Sequence, residues 1–155
     1  MKDGRHEHST SVPLDLEIFL CFAMYSAGHA FNRVYKPLLE KLGLTYPQYI
    51  AMVLLWERDG QTVGELGQKL FLESNTLTPL LKRLETLGNV KRQRDPVDER
   101  QVRVHLTDAG RKLRQRAVHI PRCILDSTGL NGRQAKQLLE EIGALRKALE
   151  SHNSH

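Results

Sequence analysis

The feature of this sequence that most constrains its fold is a change of hydrophobic period near the middle of the chain. In ESNTLTPLLKRLETLG, Leu77, Leu80, Leu81, Leu84 and Leu87 recur at steps of three and four. They form an apolar stripe along a helix from residue 74 or 75 to 87, with Gly88 as its stop. In the following VKRQRDPVDERQVRVHL, Val102, Val104 and Leu106 alternate with Gln101, Arg103 and His105, which is the period of a strand. The spacing predicts a two-stranded hairpin over 89–94 and 101–106, its tip at Asp95 to Arg100 marked by Pro96 among charged residues. Upstream, Thr62 and Glu65 in TVGELGQKL stand at capping-box spacing before a short helix of residues 62–70. Helix, break, helix and hairpin is the order of a winged helix-turn-helix. Pro79 lacks the amide that a helix interior uses, so the second helix either starts late or bends there.

The flanks carry helical patterns. Leu14, Ile18, Cys21, Phe22 and Tyr25 mark a first helix running towards Ala30 or beyond, which Pro37 interrupts or restarts. Thr45 caps a buried helix of 47–58 that contains Tyr49, with Pro47 near its first turn. Thr107 caps a helix from 108 to about 119, which meets Pro121 and leaves Cys123 in a short apolar stretch. A last helix, 131–149, is capped by Asn131 and aligns Leu138, Ile142, Leu145 and Leu149. Residues 1–13 read as a polar arm and 150–155 as a polar tail. The fold class is therefore mostly α, in one domain of 155 residues.

Charge narrows the partner. The chain carries 23 Lys and Arg against 18 Asp and Glu, a net +5, with 6% aromatic residues. That balance suits duplex nucleic acid better than single strands, which need aromatic stacking platforms. On helix 74–87 the apolar stripe faces the core and leaves Ser74, Asn75, Thr76 and Thr78 to reach base edges or phosphates, with Lys82 and Arg83 as phosphate contacts. The hairpin gathers Lys91, Arg92, Arg94, Arg100 and Arg103, with Asp95, Asp98 and Glu99 placed to brace the arginines. Arg100 at the tip suits a narrow minor groove. The longest apolar run, Ile18 to Met24, is far below the ~20 residues of a membrane-spanning helix. MKDGRHEHSTSVPLD holds acids and histidines where an export signal needs an apolar stretch, so a cytoplasmic protein without membrane contact is expected.

The stretch TVGELGQKLFLESNTLTPLLKRLETLGNVKRQRDPVDERQVRVHLTDAGRKL resembles the DNA-binding lobe of MarR-type transcriptional regulators, including the DER wing and the LTDAG helix entry. With LCFAMYSAGHAFNRVYKPLLEKLGLTYPQYIAMVLLWE ahead of it, the chain is similar to the organic hydroperoxide regulator branch. The resemblance implies a homodimer on palindromic operator DNA. Residues 14–45 and 108–149 would supply dimerisation helices, and 46–106 the winged helix-turn-helix lobe. Asn89 stands where an apolar residue is expected after the helix stop, which bears on how the wing packs there.

The two cysteines carry the remaining chemistry. Cys21 shares a helix face with Tyr25 one turn later, and a phenol donating to sulfur favours the thiolate, the nucleophilic form. The resemblance adds Tyr35 and Tyr46 to this sensing site and implies attack on an organic hydroperoxide, giving a sulfenic acid. Phe19, Phe22, Met24 and Phe31 would supply an apolar surround. Cys123 is the candidate resolving thiol, on the other subunit as the resemblance implies, and a low-molecular-weight thiol is the alternative. No cofactor is implied. The His6-Glu7-His8 cluster lacks a third fixed ligand for a metal. Two other readings remain at this stage: a regulator released by a small phenolic ligand, with the cysteines incidental, and a thiol peroxidase. The basic wing argues against an enzyme.

Overall fold

The computed structural model describes residues 14–153; the His6-Glu7-His8 cluster and the rest of the N-terminal arm lie outside the described residues. A 3-10 turn at Leu16–Ile18, capped by Asp15, leads into α1 (Leu20–Glu40). This helix runs through Pro37 rather than breaking there. The amide that Pro37 lacks would have served the Arg33 carbonyl, and both residues are exposed, so solvent can replace the bond. Helix α2 (Tyr46–Glu57) starts at a full capping box: Gln48 donates its amide to the Thr45 hydroxyl, and its side chain accepts the Thr45 amide. Strand β1 (Gln61–Thr62) and α3 (Val63–Leu70) follow, with Thr62 and Glu65 closing the box expected of them.

Helix α4 (Ser74–Thr86) starts early and takes Pro79 inside, close to its N-terminal end, where the carbonyl that a residue-79 amide would serve belongs to the exposed Asn75. Strands β2 (Val90–Arg94) and β3 (Val102–Leu106) form the hairpin, but the sheet has three strands in the order β1-β3-β2, all antiparallel. Val104 is the hinge of the register, paired with Gln61 on one side and Arg92 on the other. Helix α5 (Asp108–Ala117) is shorter than expected. The stretch around Cys123 is itself a helix, α6 (Ile120–Thr128), with Pro121 in the first turn, where its missing amide costs nothing. Helix α7 (Gly132–His152) carries the helical pattern into what reads as a polar tail.

The core lies where α2, α3, α4 and the sheet converge. Met52, Leu55, Leu66, Leu77, Leu81, Leu84 and Val104 are fully buried, so the stripe read on α4 faces inward at Leu77, Leu81 and Leu84, with Leu80 half-buried; Leu87, the cap beyond the last turn, is exposed instead. Gln61 is buried as well, and every polar atom of its side chain is used. Its amide nitrogen donates to the carbonyls of Leu54 and Arg58 at 2.7 Å each, and its oxygen accepts from Lys69 at 2.9 Å. It ties the end of α2 to the sheet and α3. A different surface is uncovered: Leu20, Phe22, Met24 and Phe31 of α1 and Leu139 and Ile142 of α7 are exposed, and α7 buries no residue. A patch of that kind marks a contact surface. Among the described residues, no helix is long and apolar enough to cross a membrane.

Candidate functional site

One candidate face is built by α3, α4 and the wing, which enclose an open groove of about 700 Å³ lined by Ser74, Thr78, Arg92, Arg100 and Arg103 among others. Ser74, Asn75 and Thr76 are exposed in the first turn of α4, Thr78 is half-buried, and Lys82 and Arg83 are exposed further along. The wing tip is rigidly built. Asp95, 4% exposed, accepts the amides of Val97 at 2.7 Å and Asp98 at 3.2 Å and pairs with Arg103 at 2.5 Å. Arg103 also donates to the Gly60 carbonyl, fastening the tip to the strand beyond. Those amide bonds, with Arg103, hold the Asp95 carboxyl below its usual range.

Asp98 accepts from the Arg100 guanidinium at 3.0 Å while the Arg100 side chain stays 90% exposed, so the arginine is held outward at the tip. Of the three expected braces, Asp95 and Asp98 use their carboxylates. Glu99 contributes its backbone carbonyl instead, which accepts from Arg94 at 3.2 Å. Arg92 is engaged by Glu85, a partner that no local spacing in the sequence points to.

The second feature is a groove of about 420 Å³ between the end of α1 and the start of α2, lined by Tyr35, Lys36, Leu44, Tyr46 and Pro47. The rings of Tyr35 and Tyr46 lie 4.8 Å apart, and Tyr49 stands 6.0 Å behind Tyr35, buried in the core as expected. Burial, with the neighbouring phenols, pushes the Tyr35 hydroxyl up to about 12, so it remains a proton donor at neutral pH. The structure thus brings Tyr35 and Tyr46 together but leaves Cys21 elsewhere. Cys21 is exposed in the first turn of α1, fourteen residues before Tyr35 on the same helix, a separation of ~21 Å along the axis at 1.5 Å per residue. Tyr25, 64% exposed, packs edge-on against His29 at 4.4 Å. Cys123 is half-buried on α6, which packs against α1, and both thiols are free.

Two helices meeting at a short turn, with a basic three-stranded wing beside them, define a winged helix-turn-helix protein. The pattern of SarA/Rot transcriptional regulators matches residues 33–117. The chain is 47% identical over 139 residues to the HTH-type transcriptional regulator TtmR of Methylorubrum extorquens, covering 90% of this chain and 71% of that protein. It is 44% identical over 140 residues to the organic hydroperoxide resistance transcriptional regulator of Bacillus subtilis, covering 90% and 95%. Among solved structures, AbfR of Staphylococcus epidermidis is similar in several states. The reduced form bound to DNA superposes with a TM-score of 0.72 at 39% identity, over 84% of this chain and 90% of that one. The overoxidized form, also bound to DNA, gives 0.70 at 39% over 84% and 91%, and the disulfide form 0.63 at 42% over 84% and 88%. The chain belongs to the MarR family of transcriptional regulators, within the organic hydroperoxide regulator branch.

Proposed function

We propose that this chain is a peroxide-sensing repressor, cytoplasmic, that binds palindromic operator DNA as a reduced homodimer and releases it when Cys21 is oxidised by an organic hydroperoxide. The observation that carries the reading is an exposed cysteine at one end of α1 and a tyrosine pocket at the other, too far apart to meet within one chain. A second copy packed on the uncovered faces of α1 and α7 can bring its own Cys21 to that pocket. Residues 14–45 and 108–149 then act as the dimer lobe and 46–106 as the reading lobe. On the DNA, Ser74, Asn75, Thr76 and Thr78 face the major groove, Lys82, Arg83 and Arg94 the phosphates, and Arg100, braced by Asp98, the minor groove.

The chemistry is stoichiometric. The Cys21 thiolate attacks one peroxide oxygen, the O–O bond breaks, and the alkoxide leaves and takes a proton from a phenol or solvent. Sulfur loses two electrons and becomes a sulfenic acid. A second thiol, from Cys123 of the other copy or a small cellular thiol, then forms a sulfur–sulfur bond as water departs. The AbfR relative is bound to DNA both reduced and overoxidized. That favours the sulfur–sulfur bond, rather than oxygen on sulfur, as the event that moves the reading heads.

Fluorescence anisotropy of a labelled duplex from the chain's own upstream region tests the reading. Reduced protein is expected to bind, cumene hydroperoxide with a small thiol present to release it, and a dithiol to restore binding. The Cys21→Ser protein is expected to bind and stay bound. DNA retained by wild-type protein whose Cys21 is in a disulfide by peptide mass spectrometry would contradict it.

A further inference from the structure

We propose that Glu85 is a positioning residue for DNA reading: it fastens the last turn of α4 to the outer edge of the wing, so that helix and wing meet a duplex as one unit. This rests on the DNA-binding reading above. One carboxylate oxygen of Glu85 accepts the backbone N–H of Arg92 at 2.9 Å, and the other accepts Arg92 Nε at 3.0 Å and lies 2.9 Å from Nη2. Strand β2 is the edge of the sheet, and its ladder runs only to β3. The Arg92 amide has no strand to bond on its outer side, and Glu85 takes that place. Both oxygens are used, one by the backbone N–H and the other by the guanidinium, so the helix holds the strand at its main chain and its side chain together.

Between Glu85 and Arg92 the chain turns through Gly88, at φ 80°, and the turn is closed by the Gly88 amide on the Glu85 carbonyl at 2.9 Å and the Asn89 amide on the Leu84 carbonyl at 3.1 Å. Those bonds stop at Asn89, so along the outer edge of β2 it is the Glu85 carboxylate that reaches back from the helix to the strand. The Arg92 amide, with its guanidinium, holds the Glu85 carboxyl below its usual range. Arg92 lines the groove between α4 and the wing. A carboxylate beside a phosphate-facing groove is unfavourable by charge alone. Charge and geometry therefore predict opposite outcomes for its removal.

The test measures binding of wild type, Glu85→Ala and Glu85→Gln to the upstream duplex and to a scrambled duplex of equal length, with a thermal melt of each protein. Glu85→Ala is expected to lose tenfold or more in affinity for the upstream duplex while holding the scrambled one as well as wild type or better. Glu85→Gln, whose amide oxygen still accepts the Arg92 N–H, is expected to fall between; should Glu85→Ala melt below the assay temperature, Glu85→Gln carries the same two outcomes. Glu85→Ala binding the upstream duplex as tightly as wild type, or more tightly, would overturn the proposal. Wild type without preference for the upstream duplex would overturn the DNA-binding reading itself and this proposal with it.

Discussion

A β-carbon on Gly110 would stand 2.0 Å from the backbone oxygen of Asn89, a separation that no folded backbone tolerates. That oxygen cannot retreat, because it accepts the Thr107 amide at 3.1 Å while the Asn89 amide donates to the Leu84 carbonyl at 3.1 Å. Gly110 is held from the other side by Trp56, whose indole N–H donates to its carbonyl at 2.8 Å. Gly110→Ala is therefore expected to cost about 3 kcal/mol, a fall in melting temperature of roughly 6–12 °C for a chain of this length. Calorimetry checks this, and an unchanged melting temperature would contradict it. The same site answers the question Asn89 raised as a sequence. The wing joins the helix stop through the backbone of Asn89, whose amide and carbonyl are both bonded, so the junction does not depend on an apolar side chain there.

At the scale of elements, the cap at the start of α3 makes a pH prediction. Glu65 accepts from Arg58 at 2.8 Å and from the Thr62 amide at 2.8 Å, and these bonds lower its carboxyl from 4.5 to about 2. A carboxyl lowered in the folded state stabilises above its unfolded value and loses that contribution as pH falls towards the folded one. Melting temperature is therefore expected to drop more steeply between about pH 5 and about pH 2 in wild type than in Glu65→Gln, which cannot titrate. Parallel curves would contradict this. The Thr62–Glu65 cap was legible because its two members lie three residues apart, and the hairpin because strand period is local. The elements that were not legible depend on distant partners or on context. Strand β1 is two residues long and pairs with β3; α6 carries Pro121 in its first turn, which reads equally as a break; and Glu85 and Arg92 sit on different elements. For the sensing site, Cys21 and Tyr25 are legible from helical spacing and Tyr35 and Tyr46 only through the resemblance, and the separation of Cys21 from Tyr35 appears only once α1 is seen to run unbroken past Ala30 to Tyr35.

For the whole molecule, release of DNA by the proposed switch requires that an event at the tyrosine pocket reach the reading face. The pocket lies at the end of α1, where Arg116 of α5 donates to the Lys41 carbonyl. Helix α5 begins at Thr107, whose hydroxyl donates to the Gly88 carbonyl at 2.6 Å, at the foot of α4. A shift of α1 against a second copy thus has a packed route to the recognition helix, and a change in the spacing of two such helices is enough to lose a palindromic site. In the proposed dimer the thiol of one subunit is read by the tyrosines of the other. Mixed dimers, with Cys21→Ser in one subunit and Tyr35→Phe in the other, test it through the rate at which cumene hydroperoxide oxidises the single remaining Cys21. Oxidation at close to the wild-type rate per thiol is predicted, about tenfold faster than in the Tyr35→Phe homodimer, as the loss of one hydrogen bond to the reacting sulfur implies. A mixed dimer as slow as that homodimer would contradict sensing across the dimer.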